Sequence, residues 1–397
     1  MIPAVTAVRM SGARDRAELP LLVLGPSLGT SATALWAEAA GHLADVFDVL
    51  AWDLPGHGHN RSVPEEPYDM AELAAGVLAV VDEVLLQRDE VGGSFSYAGN
   101  SVGGAVGLQL LLDAPGRVRD AVLLCTGAVL GERAMWEGRM AQVAMSGTRV
   151  MVAGSRERWF APGFVERRPE VVASLLDALA GTDDHGYRQA CAAVAGFDVR
   201  ARLGEVTAPV LAVAGDADQA APVGRLQEVA EGVRDGRLVV LDDVAHLAPA
   251  EAPEQVARLV RQHVLGEPEQ ASGSWHEVGL AVRREVLGDA HVDRALAGTT
   301  DFTRDFQELV TEYEWGAVWG RPGLDRRSRS LVTLTALVAR GHHEQLATHV
   351  RAALTLGVTV EEIKELLLQT AVYCGVPDAD AAFRVVQQVL LDEGRKQ

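Results

Sequence analysis

The sequence predicts an α/β fold built on a mostly parallel sheet, followed by an all-helical domain. Three observations carry this. Between Leu21 and Leu265, short runs of leucine and β-branched residues alternate with amphipathic stretches, the pattern of β-α-β crossovers. One of those runs leads through Gly99-Asn100-Ser101-Val102-Gly103 into a helical stretch. From Ser274 to the last residue the periodicity is helical alone.

In chain order, the strand candidates are 21–24, 48–52, 94–98, 121–124, 210–214 and 238–241. Each is a short run, rich in aliphatic or aromatic residues, of the kind expected for a buried strand. The spacing breaks between Cys125 and Val206, where about eighty residues read as helices without a strand. An insertion there, at about 126–206, is expected to form a helical cap over the strand ends, shaping a pocket and excluding water. Residues Gly266 to Gly273 lack periodicity and have linker composition, so the expected division is 1–265, a linker at 266–273, and 274–397. Beyond the linker the helical runs are 275–287, 302–315, 328–339, 342–356 and 360–374, the last continuing through 380–391. Pro322, Gly341, Gly357 and Pro377 fall between these runs, where helix breakers belong. Small helical modules often need a second copy to complete their core, so a homo-oligomer formed through this part is expected.

The 397 residues are 48% hydrophobic and 23% charged, a globular composition rather than that of a disordered tail. Net charge is −19, of which −4 falls from Ser274 onward and −15 before it. A field of that sign repels nucleic acid and anionic membranes, so neither is an expected partner. No apolar run approaches the roughly 20 residues that cross a bilayer. The first residues carry no basic leader before an apolar block, and Cys125, Cys191 and Cys374 are too few and too scattered for a disulfide framework. A cytoplasmic setting is expected from these features. Only Lys364 and Lys396 are lysines, so an anion in a pocket must be met by arginine, histidine or a helix N-terminus.

The sharpest local signal is the G-x-S-x-G motif around Ser101, in its confirming context of strand, tight turn and helix. Its glycines let helix and strand approach closely, and the turn presents the Ser101 hydroxyl at a helix N-terminus. A serine needs a base, and the base needs an orienting acid, in the chain order Ser, Asp/Glu, His. His246 is the histidine that follows the last strand candidate, and Asp216 and Asp218 both follow the run at 210–214. Spacing alone does not choose between the two acids. An oxyanion would be met by the Val102 N–H and by one from the loop at 25–30, where Leu28 is the expected donor. His57 and His59 lie in a glycine-shaped loop without a third ligand, so no metal is expected.

Residues 20–265 resemble the α/β-hydrolase superfamily, and within it the 3-oxoadipate enol-lactonases. The resemblance rests on Ser27-Leu28-Gly29-Thr30 with Trp36, Trp52 to Gly58, the Ser101 turn, Trp136 with Arg139, Arg158-Trp159-Phe160, Gly186-Tyr187 and the two loops bearing acid and histidine. It favours Asp218 as the acid. Residues 274–397 resemble the 4-carboxymuconolactone decarboxylases, through Val286 to Val292, Asp301-Phe302-Thr303, Trp315 to Trp319, Arg321 to Asp325, Arg329-Ser330, His349 to Leu354 and Tyr373 to Pro377. The resemblance therefore implies an α/β hydrolase fold with a helical cap, then an all-α decarboxylase-like domain. It also implies successive steps of protocatechuate breakdown (the β-ketoadipate pathway), housed in one chain.

For the decarboxylase the implied substrate is an unsaturated γ-lactone with a carboxylate beside the ring oxygen. Its own double bond and carbonyl accept the electrons that CO₂ leaves behind, so no cofactor is expected. His349 is the expected proton donor, with His342 and Gln345, at i, i+3 and i+7, on the same helical face, and Arg329 a candidate for substrate carboxylates. The family often carries an acid where Gln345 stands, and its redox relatives carry cysteines at 342 and 345, so thiol chemistry is not expected here. In the hydrolase, Ser101 would open the enol-lactone with Arg133, Trp136 and Arg139 of the cap meeting its carboxylate. The competing reading is another serine esterase, or a cofactor-free haloperoxidase, with a helical oligomerisation module.

Overall fold

The computed structural model describes residues 1–10, 18–266, 275–321 and 323–394, and the chain divides into two compact units, Met1–Glu267 and Pro268–Gln397. Most of the expected linker, residues 267–273, and the expected breaker Pro322 lie outside the described residues.

The first unit is built on seven strands: β1 (Thr6–Arg9), β2 (Leu21–Gly25), β3 (Asp48–Asp53), β4 (Phe95–Asn100), β5 (Val118–Leu124), β6 (Val210–Gly215) and β7 (Gly236–Leu241). They lie in the order β1-β3-β2-β4-β5-β6-β7, all parallel except β1, which runs antiparallel to β3. Every residue of β2, β3, β4 and β6 is buried; β2 and β6 accordingly read as continuous apolar runs, while β3 buries Asp48 and Asp53 and β4 buries Ser96 and Asn100. The six expected strands are present, each shifted or lengthened by a few residues. The unexpected one, β1, is a four-residue edge strand of Thr, Ala, Val and Arg, half-exposed and without an apolar run to mark it.

Helix Val102–Asp113 follows β4 and is buried on every side from Val102 to Leu112. Between β5 and β6 the chain forms the cap, with helices Arg133–Ser146, Val152–Trp159, Pro169–Ala180 and Asp184–Ala195 as its main members. Among the described residues its only extended pairing is a bridge between Val129 and Asp198, where the segment leaves and rejoins the sheet.

The second unit is helical: Trp275–Leu287, Asp289–Ala297, Arg304–Leu309, a π-helix Val310–Trp319, Arg326–Ala339, His343–Thr355, Val360–Cys374 and Val376–Asp392. Two expectations need correction. The run at 302–315 starts later, because Thr300 and Thr303 close a turn (Thr300 N–H to Thr303 Oγ1, 2.9 Å), and it widens from Val310 into a π-helix. Helix Asp289–Ala297, opened by Gly288 at φ 83°, was not anticipated. The π-helix is pressed against Trp275–Leu287 so closely that a Cβ on Gly279 would lie 1.8 Å from the Thr311 carbonyl oxygen.

Candidate active sites of the two units

In the first unit the site begins with strain. Ser101 has φ 55° and ψ −116°, a left-handed conformation that a side chain rarely adopts. Its surroundings impose that conformation. Ser101 N–H donates to the Leu124 carbonyl (2.9 Å), Gly103 N–H donates to that of Pro26 (2.8 Å), and the Thr126 hydroxyl donates to the Ser101 carbonyl (2.6 Å). A Cβ on Gly103 would sit 2.5 Å from the Gly25 carbonyl carbon, against backbone that cannot yield. Gly103→Ala is therefore expected to destabilise the first unit by about 1–3 kcal/mol, read as a lower urea midpoint, and to displace Ser101.

Ser101, on the turn after β4, donates its hydroxyl to His246 Nε2 at 3.0 Å, and His246 Nδ1–H donates to Asp218 Oδ2 at 2.9 Å. All three are buried, with Ser101 7% exposed at the cavity wall. Asp218 also accepts from the N–H groups of Ala220 (2.8 Å) and Ala221 (3.0 Å). Burial pushes the Asp218 carboxyl up, but the charge and hydrogen bond of His246 and these two N–H groups outweigh it and hold it below its usual value. Asp216, the competing acid, instead accepts from the Val244 N–H at 3.3 Å and so shapes the histidine loop.

The hydroxyl opens onto a cavity of about 790 Å³ lined by Leu28, Trp136, Arg139, Arg158, Trp159 and Arg225 among others. Leu28 lines the same cavity as Ser101, and Val102 is the first residue of the helix that follows the serine. Of the three expected cap contacts, Trp136 and Arg139 line the cavity, with the Arg139 guanidinium 5.0 Å above the Trp136 ring. Arg133 does not: it is exposed at the first turn of its helix, nearly one turn short of Trp136. Sequence reasoning missed Arg158 and Arg225 as cavity residues. Arg158 belongs to the Arg158-Trp159-Phe160 stretch that carries the lactonase resemblance, whereas Arg225 lies on helix Val223–Gly232 with no motif around it. Among the described residues no carboxylate pairs with Arg139 or Arg158, and burial followed by the charge of Arg139 lowers the Arg158 pKa. Two guanidiniums without a carboxylate in ion-pair contact, on the wall of the nucleophile's cavity, suit an anionic ligand.

The loop holding His57 and His59 has a structural occupation. His57 is fully buried, bonds Pro55 O through Nδ1 (2.9 Å) and stacks on Tyr187, while His59 binds Asp53. Among the described residues no group of three or more His, Cys, Asp and Glu could hold a metal, and no helix is long and apolar enough to cross a membrane.

In the second unit His349 is buried in helix His343–Thr355, its ring parallel to that of Trp315 (6.2 Å between centroids) and close to that of Trp319 (6.4 Å). Its expected companions are elsewhere. His342 precedes the helix and is exposed, Gln345 is exposed on the first turn, and Arg329 donates to the carbonyls of Leu324 and Arg321. His342 is lost from the shared face because the helix begins at His343, after Gly341 has turned the chain at φ 66°, and Gln345, one turn before His349 in that helix, is left exposed at its start. Other helices provide the real neighbours. Arg283, 7% exposed, donates to Gln307 Oε1 and Thr311 Oγ1 at 3.3 Å and leaves Nε without a partner, as His349 leaves Nδ1. Burial, then the charge of His291, lowers the His349 pKa to about 4, and burial, then Arg283, lowers that of His291. The Arg283 guanidinium thus acts on the His291 imidazole, and His291 on that of His349, both histidines with lowered pKa and His349 stacked on two tryptophans, while Glu314, its pKa raised by burial, also feels the charge of Arg283.

An imidazole near 4 when folded and near 6.5 when unfolded binds protons more readily in the unfolded chain between those values. Stability therefore falls as pH falls from about 6.5 to 4, and buried His57, also lowered to about 4, acts the same way in the first unit. Compared by calorimetry at about pH 7 and about pH 5, His349→Gln should lose less stability of the second unit on acidification than the wild-type chain does, because the imidazole's share of the drop is gone.

Residues 22–259 match the model of the alpha/beta hydrolase family. The chain belongs to that family. Residues 304–388 match the carboxymuconolactone decarboxylase family. The second unit is 45% identical to the 4-carboxymuconolactone decarboxylase of Acinetobacter baylyi over 30% of this chain and 89% of that protein, and so belongs to the decarboxylase family as well. The α/β hydrolase part is 31% identical to 3-oxoadipate enol-lactonase 2 of the same organism, over 60% of this chain and 86% of that protein. Among solved structures it is similar to the enol-lactonase of Burkholderia xenovorans, with TM-score 0.61 and 28% identity over 66% of this chain and 96% of that one.

Proposed function

We propose that this two-family enzyme decarboxylates 4-carboxymuconolactone in its second unit and hydrolyses the resulting 3-oxoadipate enol-lactone in its first. The observation that carries the reading is the union, in one polypeptide, of the Ser101–His246–Asp218 hydrogen-bonded chain with a unit 45% identical to a 4-carboxymuconolactone decarboxylase.

The first reaction needs an anion held, an enolate stabilised and a proton delivered to carbon. Arg283 and His291 are suited to the substrate carboxylates. The C–CO₂⁻ bond breaks, its electron pair passes through the ring double bond to the lactone oxygen, and CO₂ leaves. His349 then protonates the ring carbon next to the carbonyl, giving the enol-lactone. His349 is neutral in the empty site, but a bound dianion reverses the local field and favours its charged form.

In the second reaction His246 takes the Ser101 proton as the oxygen attacks the lactone carbonyl, while the N–H groups of Leu28 and Val102 hold the oxyanion. The bond to the ring oxygen breaks, the enol so released becomes a ketone, and water activated by His246 frees 3-oxoadipate. Asp218 keeps the imidazole in the tautomer this requires. Arg139, above the Trp136 ring, and Arg158, both on the wall of the cavity that Ser101 lines, meet the pendant carboxylate. The three free cysteines support a cytoplasmic setting.

The test supplies purified protein with 4-carboxymuconolactone and follows CO₂ and 3-oxoadipate together. Equal amounts of both are expected. CO₂ release without ring opening, or neither, would defeat the two-step reading.

The second unit also shows a stripe of exposed Phe302, Phe306, Leu309 and Tyr313, spaced along one face as the chain enters the π-helix. A second copy of this unit is the occupant we assign to it. Phe306→Glu with Tyr313→Glu should lower the mass measured by sedimentation to that of a single chain; an unchanged mass would exclude this face.

A further inference from the structure

The loop that carries His246 has neither strand nor helix to satisfy its backbone, and its N–H groups are met in an unusual way. Three consecutive donors, at residues 245, 246 and 247, are all taken. Ala245 and Leu247 donate to Glu251 Oε1 at 3.2 Å each, and His246 N–H donates to the carbonyl of Trp159 at 3.1 Å. The other carboxylate oxygen of Glu251 accepts from Ala161 N–H at 2.8 Å. Ala161 and Trp159 belong to the cap, and Trp159 lines the cavity above Ser101. One carboxylate, at the end of the short helix Ala248–Glu251, therefore bonds the residues on both sides of His246 and the cap wall at once.

We propose that Glu251 is a positioning residue for hydrolysis, fixing the His246 loop and the cap wall to each other so that Nε2 stays within reach of Ser101. Glutamine cannot do the same. An amide has one accepting oxygen, and its NH₂ would face an N–H donor on the other side. Burial pushes the Glu251 carboxyl up to about 7, against the pull of its three N–H donors, so the position is maintained against a desolvation penalty. Glu251 does not line the cavity onto which Ser101 opens, which separates its role from that of the reacting groups.

The inference rests on Ser101 and His246 being the reacting pair, and its test is separable from the identity of the substrate. Glu251→Gln, close in size and expected to fold, is compared with Glu251→Ala in the full chain. Hydrolysis of enol-lactone and of p-nitrophenyl acetate is measured, together with the downfield proton resonance of His246 Nδ1–H. The expected result is a kcat lowered roughly tenfold in the Gln variant and roughly a hundredfold in the Ala variant, with KM changed less than about twofold. The Nδ1–H resonance should shift or broaden in both while thermal melting shows folded protein. A Gln variant with wild-type kcat and an unmoved resonance would overturn the proposal, as would losses that only track unfolded protein. If the wild-type protein hydrolyses the acetate ester but not enol-lactone, the substrate reading fails while the comparison stands. If it hydrolyses neither, the resonance alone decides whether Glu251 positions the imidazole.

Discussion

Ser101→Ala is expected to reduce enol-lactone hydrolysis by about a millionfold while leaving CO₂ release from 4-carboxymuconolactone at its wild-type rate. Without Oγ there is no acyl-enzyme, and His246 and Asp218 have nothing to activate. The lactone product should then accumulate, visible by NMR as a vinyl proton that persists. The size of the effect follows from the three groups acting as one unit, so His246→Ala should be nearly as severe and the double variant little worse. Slow residual opening would reflect the oxyanion donors and the reactivity of an enol ester. Hydrolysis within tenfold of wild type would mean that another group is the nucleophile.

The second large effect is expected from His349→Gln, which should lower CO₂ release by roughly 10²–10⁴-fold and leave hydrolysis of supplied enol-lactone unchanged. Gln retains size and hydrogen bonding in the stack with Trp315 and Trp319 but cannot carry a proton to carbon. His342→Gln is the control, since that ring is exposed outside the helix, and it should change the rate less than about threefold. Arg283→Gln should act differently, raising KM rather than lowering kcat, because its proposed part is to hold a carboxylate. If His342→Gln were the damaging change, the buried cluster would be the wrong site.

These expectations differ in how far the sequence could support them. The hydrolase site was readable because its parts are local: a strand, five residues of turn and a helix fix Ser101, and His246 follows another strand. What spacing could not decide was Asp216 against Asp218, two residues apart on one loop. The structure separates them by which oxygen meets the imidazole and which meets the Val244 N–H. The decarboxylase site was less legible because nothing local marks it. His349 lies buried against Trp315 and Trp319, but the companions that periodicity offers are exposed, His342 because Gly341 turns the chain before the helix begins and Gln345 at the helix start. Its actual neighbours come from three other helical segments, a tertiary arrangement that no single-segment pattern contains. Similarly, β1 was invisible because a half-exposed edge strand needs no apolar run.

The bridge between Val129 and Asp198, reinforced by the Val199 N–H to Ala128 carbonyl bond of 2.9 Å, closes the cap segment at a narrow neck. A piece whose two ends meet can be exchanged as a cassette. Grafting the span between them from a lactonase of different taste would recast which acids the enzyme welcomes, with the strand-borne chemistry inherited intact, provided the donor restores the peptide that greets Glu251.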